Sequence, residues 1–198
     1  MAFHEFISWG AGWGHVSQQR LLTTPHLEVE TIAVTSPTRL EPFEWTVVHR
    51  KAAVVVVPVT ADGGFVMVRQ ERVPVRASLW EFPAGQIDVS GVHGEAIIRE
   101  TGLRELREES GMELTPGGEI LSLGHFFPSA GFTDEHSHLL LMRPVRNSAT
   151  GASPDEMEAI TETGVFEASE VRAMIADGTI RDANSLAAFA RLMALGLF

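Results

Sequence analysis

The order of patterned segments predicts an α/β or α+β fold, in which a mixed sheet carries packed helices and an antiparallel strand extension precedes it. Three observations support it. Residues 52–59 (AAVVVVPV) form an apolar run, which suits a central strand buried on both faces. Residues 95–110 (EAIIRETGLRELREES) carry a helical pattern that ends at Gly111, a C-cap signal. Strand-like segments stand before and after that helix, and two further helical patterns close the chain.

Taken in order, residues 1–24 hold Gly10, Gly12 and Gly14 around Trp13 with no period, and are expected to be a flexible or partner-dependent arm. The alternation in 27–34 (LEVETIAV) predicts a strand that Pro37 ends. A second strand is expected over 43–49. After the apolar run, Asp62, Gly63 and Gly64 predict a hairpin turn into a strand at 65–70. Residues 73–79, with Pro74, read as a loop, and 80–82 as a strand that bends at Pro83, Ala84 and Gly85. Gly102 is a weak point inside the predicted helix. Strands are expected over 120–127 and 139–145, joined by a glycine-containing loop, 128–138. An acidic loop at 153–162, a short strand at Val165 and Phe166, and helices over 168–177 and 184–195 complete the chain.

A chain of 198 residues with 44% hydrophobic content can bury one core. It has no cysteine, so a metal would need oxygen or histidine donors, which points to magnesium, manganese or calcium. The formal net charge of −11 argues against a nucleic-acid polymer as partner. No apolar run reaches membrane-spanning length and the N-terminus lacks a basic, then apolar leader pattern, so a cytoplasmic location is expected.

The chemistry concentrates in 103–112, LRELREESGM. On a helix, Glu105, Glu108 and Glu109 stand at i, i+3 and i+4, so three like charges crowd one turn. A hard cation would turn that repulsion into ligation. The alternative is an ordinary acidic surface face.

The stretch 104–112 resembles the second half of the Nudix box: Arg, Glu, an aliphatic, any residue, Glu, Glu, any residue, Gly, an aliphatic. Every specified position is filled. The first half departs from the pattern. The spacing from Gly85 to Arg104 is five residues longer than the family's, and Ala96 stands where an acid belongs, with Glu95 and Glu100 as candidate replacements. The departure reads as an insertion around 89–94 and a lengthened helix start. Residues 80–88 (WEFPAGQID), 69–72 (RQER), Pro128 and 129–135 (SAGFTDE) are similar to the ADP-ribose pyrophosphatase branch of that family.

The resemblance implies a mixed sheet sandwiched between helices, with residues 1–50 serving dimerisation and base binding and 51–198 forming the catalytic domain. It implies Glu105 and Glu109 as ligands of Mg2+ or Mn2+, more than one ion per site, with the Ala84 carbonyl and Glu108 assisting. Arg104 would pair with a box glutamate. Glu158 is the expected general base and Glu156 the second candidate. Arg72 would contact phosphates, Trp45 and Arg50 the adenine, Gln86 the substrate, and Glu135 the terminal ribose, from the partner subunit of a homodimer with exchanged N-terminal strands. Core packing is the competing role for Trp45. His136 and His138 are read as structural or substrate-loop residues, because no third ligand with suitable spacing accompanies them. The implied reaction is hydrolysis of ADP-ribose to AMP and ribose 5-phosphate. Another nucleoside diphosphate sugar (GDP-mannose, UDP-glucose), NADH, or a silent nucleotide-sensing module are the alternatives.

Overall fold

The computed structural model describes residues 10–89, 94–154 and 158–197. Ten strands and three helices follow one another among them. The first three strands, β1 (Gly14–Thr23), β2 (Leu27–Ser36) and β3 (Arg39–Arg50), make an antiparallel sheet in the order β1-β2-β3. β1 corrects the expectation of a flexible arm. Nine of its ten residues are exposed, so backbone pairing with β2 holds it, and a burial pattern could not announce it.

The second sheet has seven strands. Its path runs β10 (Ile160–Phe166), β5 (Phe65–Arg72), β4 (Ala53–Thr60), β9 (Ser137–Asn147), β8 (Met112–Phe126), with β6 (Ala77–Glu81) on β5 and β7 (Ala84–Gln86) on β4. β4 and β9 are parallel, whereas the other pairs in this sheet are antiparallel, which makes it mixed. β6 starts inside the segment 73–79 expected as a loop, and β10 inside the expected acidic loop. β8 begins at Met112 rather than near residue 120, because register shifts absorb Pro116, Gly117 and Gly118 without ending the pairing.

Helices cover both faces. Val55 and Val57 of β4 pack with Val171 of α2 (Ala168–Ala176) and Phe189 and Leu192 of α3 (Ala183–Leu195), while Val54 and Val56 pack with Leu106 of α1 (Glu95–Ser110). The unbroken valine run is thus read by two cores at once, and Val54 through Val57 are fully buried. Gly102, the weak point by propensity, is where α1 crosses the sheet most closely: a Cβ there would lie 2.8 Å from both Leu140 Cδ1 and Met142 Cε. Gly111 ends the helix in the left-handed region at φ 69°, as its C-cap role requires. No helix of the described residues is long and apolar enough to cross a membrane.

Candidate active site

α1 presents Glu105 and Glu109 towards β7, where both are buried. The approach depends on Gly85, since a Cβ there would collide with the Glu105 carboxylate. Glu109 Oε2 accepts a hydrogen bond from the Ala84 N–H at 2.8 Å. Glu158, in the segment leading into β10, brings a third carboxylate to the pair. Oxygens of Glu105, Glu109 and Glu158 all lie within 4.8 Å of one another. Glu158 is positioned by the backbone that follows it, where the Ala159 carbonyl accepts from the Glu71 N–H at 3.0 Å.

Buried carboxylates resist ionisation. Burial, reinforced by Glu158 and Glu108 and opposed by the Arg104 charge, pushes Glu105 up to about 7. Burial and the neighbouring Glu105 and Glu158 charges push Glu109 to about 8, against the Ala84 hydrogen bond. Such a group is poised for a cation, and an all-oxygen donor set fits a hard divalent ion of the magnesium or manganese kind.

The remaining expected residues divide. Glu108 is not one of the trio; it pairs with Arg104 at 2.8 Å, and its charge acts on Glu105. Arg104 also holds Glu105 at 2.5 Å and donates to the Gln86 carbonyl at 3.2 Å. The contact seen for Ala84 is through its N–H. Glu95 pairs with Arg99 at the far end of the helix, about 15 Å from Glu105 at 1.5 Å per residue. Glu100 is exposed on α1, and among the described residues neither it nor Glu95 joins the cluster, whose third carboxylate comes from the late segment. Glu156 lies outside the described residues.

Arg72 closes the other side. It grips buried Glu81 through three contacts of 2.9, 3.1 and 2.5 Å, and its charge reaches Glu109 and Glu135. Glu81, which sequence reasoning passed over inside the WEFPAG stretch, is its partner. Burial raises the Glu135 pKa, and Arg50, 3.5 Å away in the same chain, opposes that.

Trp45 is 51% exposed, which removes core packing as its role. Its indole donates to the Gly131 carbonyl at 3.1 Å, and with Phe127, Phe132 and Asp134 it lines a cleft of about 230 Å³. A larger cavity of about 430 Å³ runs along α1 beside Asp88, Ile97 and Arg107 and does not include the carboxylate trio. Neither cavity is lined by the trio, so ligating atoms and not volume mark the carboxylate site. His136 and His138 stack near a third imidazole, His125, with ring centres 5.3 to 6.3 Å apart, which the spacing in sequence had hidden. Among the described residues, only the glutamate trio brings three ligand atoms together.

A NUDIX domain family model matches residues 49–189. Among curated proteins, the chain is 36% identical over 124 residues to a "Methanol dehydrogenase activator" of Bacillus methanolicus, covering 62% of this chain and 63% of that one. It is 36% identical over 95 residues to an "ADP-ribose pyrophosphatase" of Bacillus subtilis (48% and 47%) and 31% identical over 141 residues to one of Mycobacterium tuberculosis (71% and 63%). The matches thus span about half to under two thirds of these relatives' lengths. A solved structure described as an ADP compounds hydrolase superposes with a TM-score of 0.75 over 96% of each chain at 14% identity, a likeness of fold.

Proposed function

We propose that this chain, which belongs to the NUDIX family, is a pyrophosphatase that hydrolyses ADP-ribose to AMP and ribose 5-phosphate with Mg2+ or Mn2+. The observation that carries the reading is the convergence of Glu105, Glu109 and Glu158 within 4.8 Å, beside an arginine whose charge reaches the same face. Two relatives named as ADP-ribose pyrophosphatases support the choice of substrate.

Hydrolysis forms a bond from water oxygen to one phosphorus, breaks the bridging P–O bond, and releases a proton. When bound, the divalent ion supplies charge neutralisation for the phosphates and a lowered pKa for the water. The chain's own groups do the rest. Glu105 and Glu109, with Glu108 assisting through its contact with Arg104, would hold more than one ion. Arg104 fixes the Glu105 rotamer. Glu158 would take the proton, with Glu156 as second candidate. The Arg72 guanidinium, oriented by Glu81, is suited to two phosphate oxygens. The Trp45 cleft has room to stack an adenine, with Arg50, Gln86 and Glu135 contacting the rest of the substrate.

We assign residues 1–50 to base binding and to a homodimer with exchanged N-terminal strands, and 51–198 to catalysis. Exposed Trp13, Val16, Leu21 and Leu22 on and beside β1 support an apolar partner surface there. The name of the Bacillus methanolicus relative, an activator of another enzyme, favours a second reading, in which the chain senses a nucleotide for a partner. A turnover comparison of ADP-ribose, GDP-mannose, UDP-glucose and NADH with magnesium tests the proposal. ADP-ribose should give the highest kcat/KM; a low rank overturns the substrate, and no turnover of any overturns the hydrolase.

A further inference from the structure

His49 is buried in β3 with both ring nitrogens on carboxylates: Nε2 is 2.9 Å from Glu30 Oε1 of β2, and Nδ1 is 2.5 Å from Asp134 Oδ2 of the 128–136 segment. A neutral imidazole has one N–H and can donate to one of them; only the imidazolium donates to both. The other oxygen of Asp134 accepts from the Arg50 N–H at 3.1 Å. Two further bonds run along the same seam, Val48 N–H to the Phe132 carbonyl at 2.8 Å and Ala53 N–H to the His136 carbonyl at 3.0 Å. Everything the seam holds belongs to the substrate side. Phe132 and Asp134 line the cleft beneath Trp45, and the next residue, Glu135, pairs with Arg50.

We propose that His49 is a positioning residue, a cationic clasp that fastens the 128–136 segment to the N-terminal sheet and so sets the shape of the substrate cleft. The proposal rests on the reading of that cleft as the nucleotide site. The charged groups around the ring are Glu30 and Glu28 of β2, the latter directly across the strand pair and held by Arg20 at 3.1 Å, with Asp134 and the Arg50–Glu135 pair on the other side. Carboxylates outnumber cations there. Burial lowers the His49 pKa, but the hydrogen bonds and charges of Asp134 and Glu30 outweigh it, so the pKa lies above its ordinary 6.5. The sign follows: the raised pKa makes the clasp complete below pH 6.5, and it opens as pH rises through the folded-state value.

Two measurements test this. Hydrogen exchange of the metal-free protein, corrected for intrinsic rates, should show the Phe132, Thr133 and Glu135 amides losing more protection than the α1 amides as pH rises, and losing it at all pH values in His49→Gln, while α1 amides are equally protected in variant and wild type at each pH. In steady state with ADP-ribose and magnesium, His49→Gln should raise KM about tenfold, the scale of one lost charge-assisted hydrogen bond, with a smaller change in kcat and with the pH dependence of KM flattened. Should the variant not fold, the ring nitrogens of wild-type His49 can be titrated by NMR: a midpoint above the ordinary 6.5, with both nitrogens protonated below it, is expected if the clasp holds, and a midpoint at or below 6.5 overturns it. Unchanged exchange in the segment also overturns it. Wild-type failure to turn over ADP-ribose, with the exchange pattern as expected, overturns the substrate reading and leaves the clasp standing.

Discussion

The Ala84 N–H donates to Glu109 Oε2 across the gap between β7 and α1, at 2.8 Å. One neutral dipole is a weak answer to a carboxylate that is 1% exposed, and the raised pKa of Glu109 records the shortfall. The site is therefore under electrostatic load before any ligand arrives.

Glu109→Gln preserves the shape of the protonated acid and can still accept from Ala84. Turnover should fall by more than about a hundredfold, while metal-free stability changes by less than about 1 kcal/mol. Rates together with thermal unfolding check both halves. Activity within a few-fold of wild type would show that Glu109 holds no ion.

The same load fixes a pH dependence. Glu105 and Glu109 have folded-state values of about 7 and about 8 against an ordinary 4.5. Between these limits the unfolded chain binds fewer protons than the folded one, so stability falls as pH rises. The metal-free Tm should drop between pH 5 and 8, on the order of 5 °C, and saturating Mg2+ or Mn2+ should recover most of the loss. Calorimetry across pH, with and without metal, reads this directly; a Tm that climbs over the range contradicts it.

Gly85→Ala places a methyl group against the Glu105 carboxylate. The strand and helix must separate or the rotamer must change, at a cost of about 1–3 kcal/mol. Metal affinity should weaken more than the fold does, and isothermal titration beside chemical denaturation separates the two. Affinity equal to wild type would mean that Glu105 has no part in binding.

Trp45→Ala removes a half-exposed indole whose loss costs the core little. Base stacking contributes about 1–3 kcal/mol, so KM for ADP-ribose should rise at least fivefold with Tm nearly unchanged. A KM unaffected by the change would place the base elsewhere.

Leu21→Glu with Leu22→Glu puts two charges on the exposed strand β1. Sedimentation velocity should show a dimer in the wild type and a monomer in the variant; a monomeric wild type rejects the exchanged-strand dimer.

Where the sequence was legible, physics repeated itself at several levels. α1 spans Glu95–Ser110, the bounds its pattern predicts, because Gly111, the acidic face and apolar Leu106 all agree. β1 was illegible, since its order comes from backbone pairing and its side chains meet solvent. The junction around His49 was illegible for a different reason. A period-two reading sends the glutamates of LEVE outward, yet Glu28 and Glu30 are buried, because Arg20 and His49 neutralise them there. Pairing between distant residues can reverse the meaning of a charge, and no local pattern contains the partner. Glu95 and Glu100, the candidate replacements for the missing box acid, do not join the clustered carboxylates among the described residues; Glu158 joins Glu105 and Glu109 from about fifty residues downstream.

That last arrangement has a consequence for synthesis. The carboxylates of α1 leave the ribosome well before Glu158, whose position is set only when Ala159 and β10 pair with β5. Until then the nascent chain carries two of the three acids. A chain arrested near residue 150 lacks the third carboxylate of the trio, so the cluster can be complete only once the segment leading into β10 has been made.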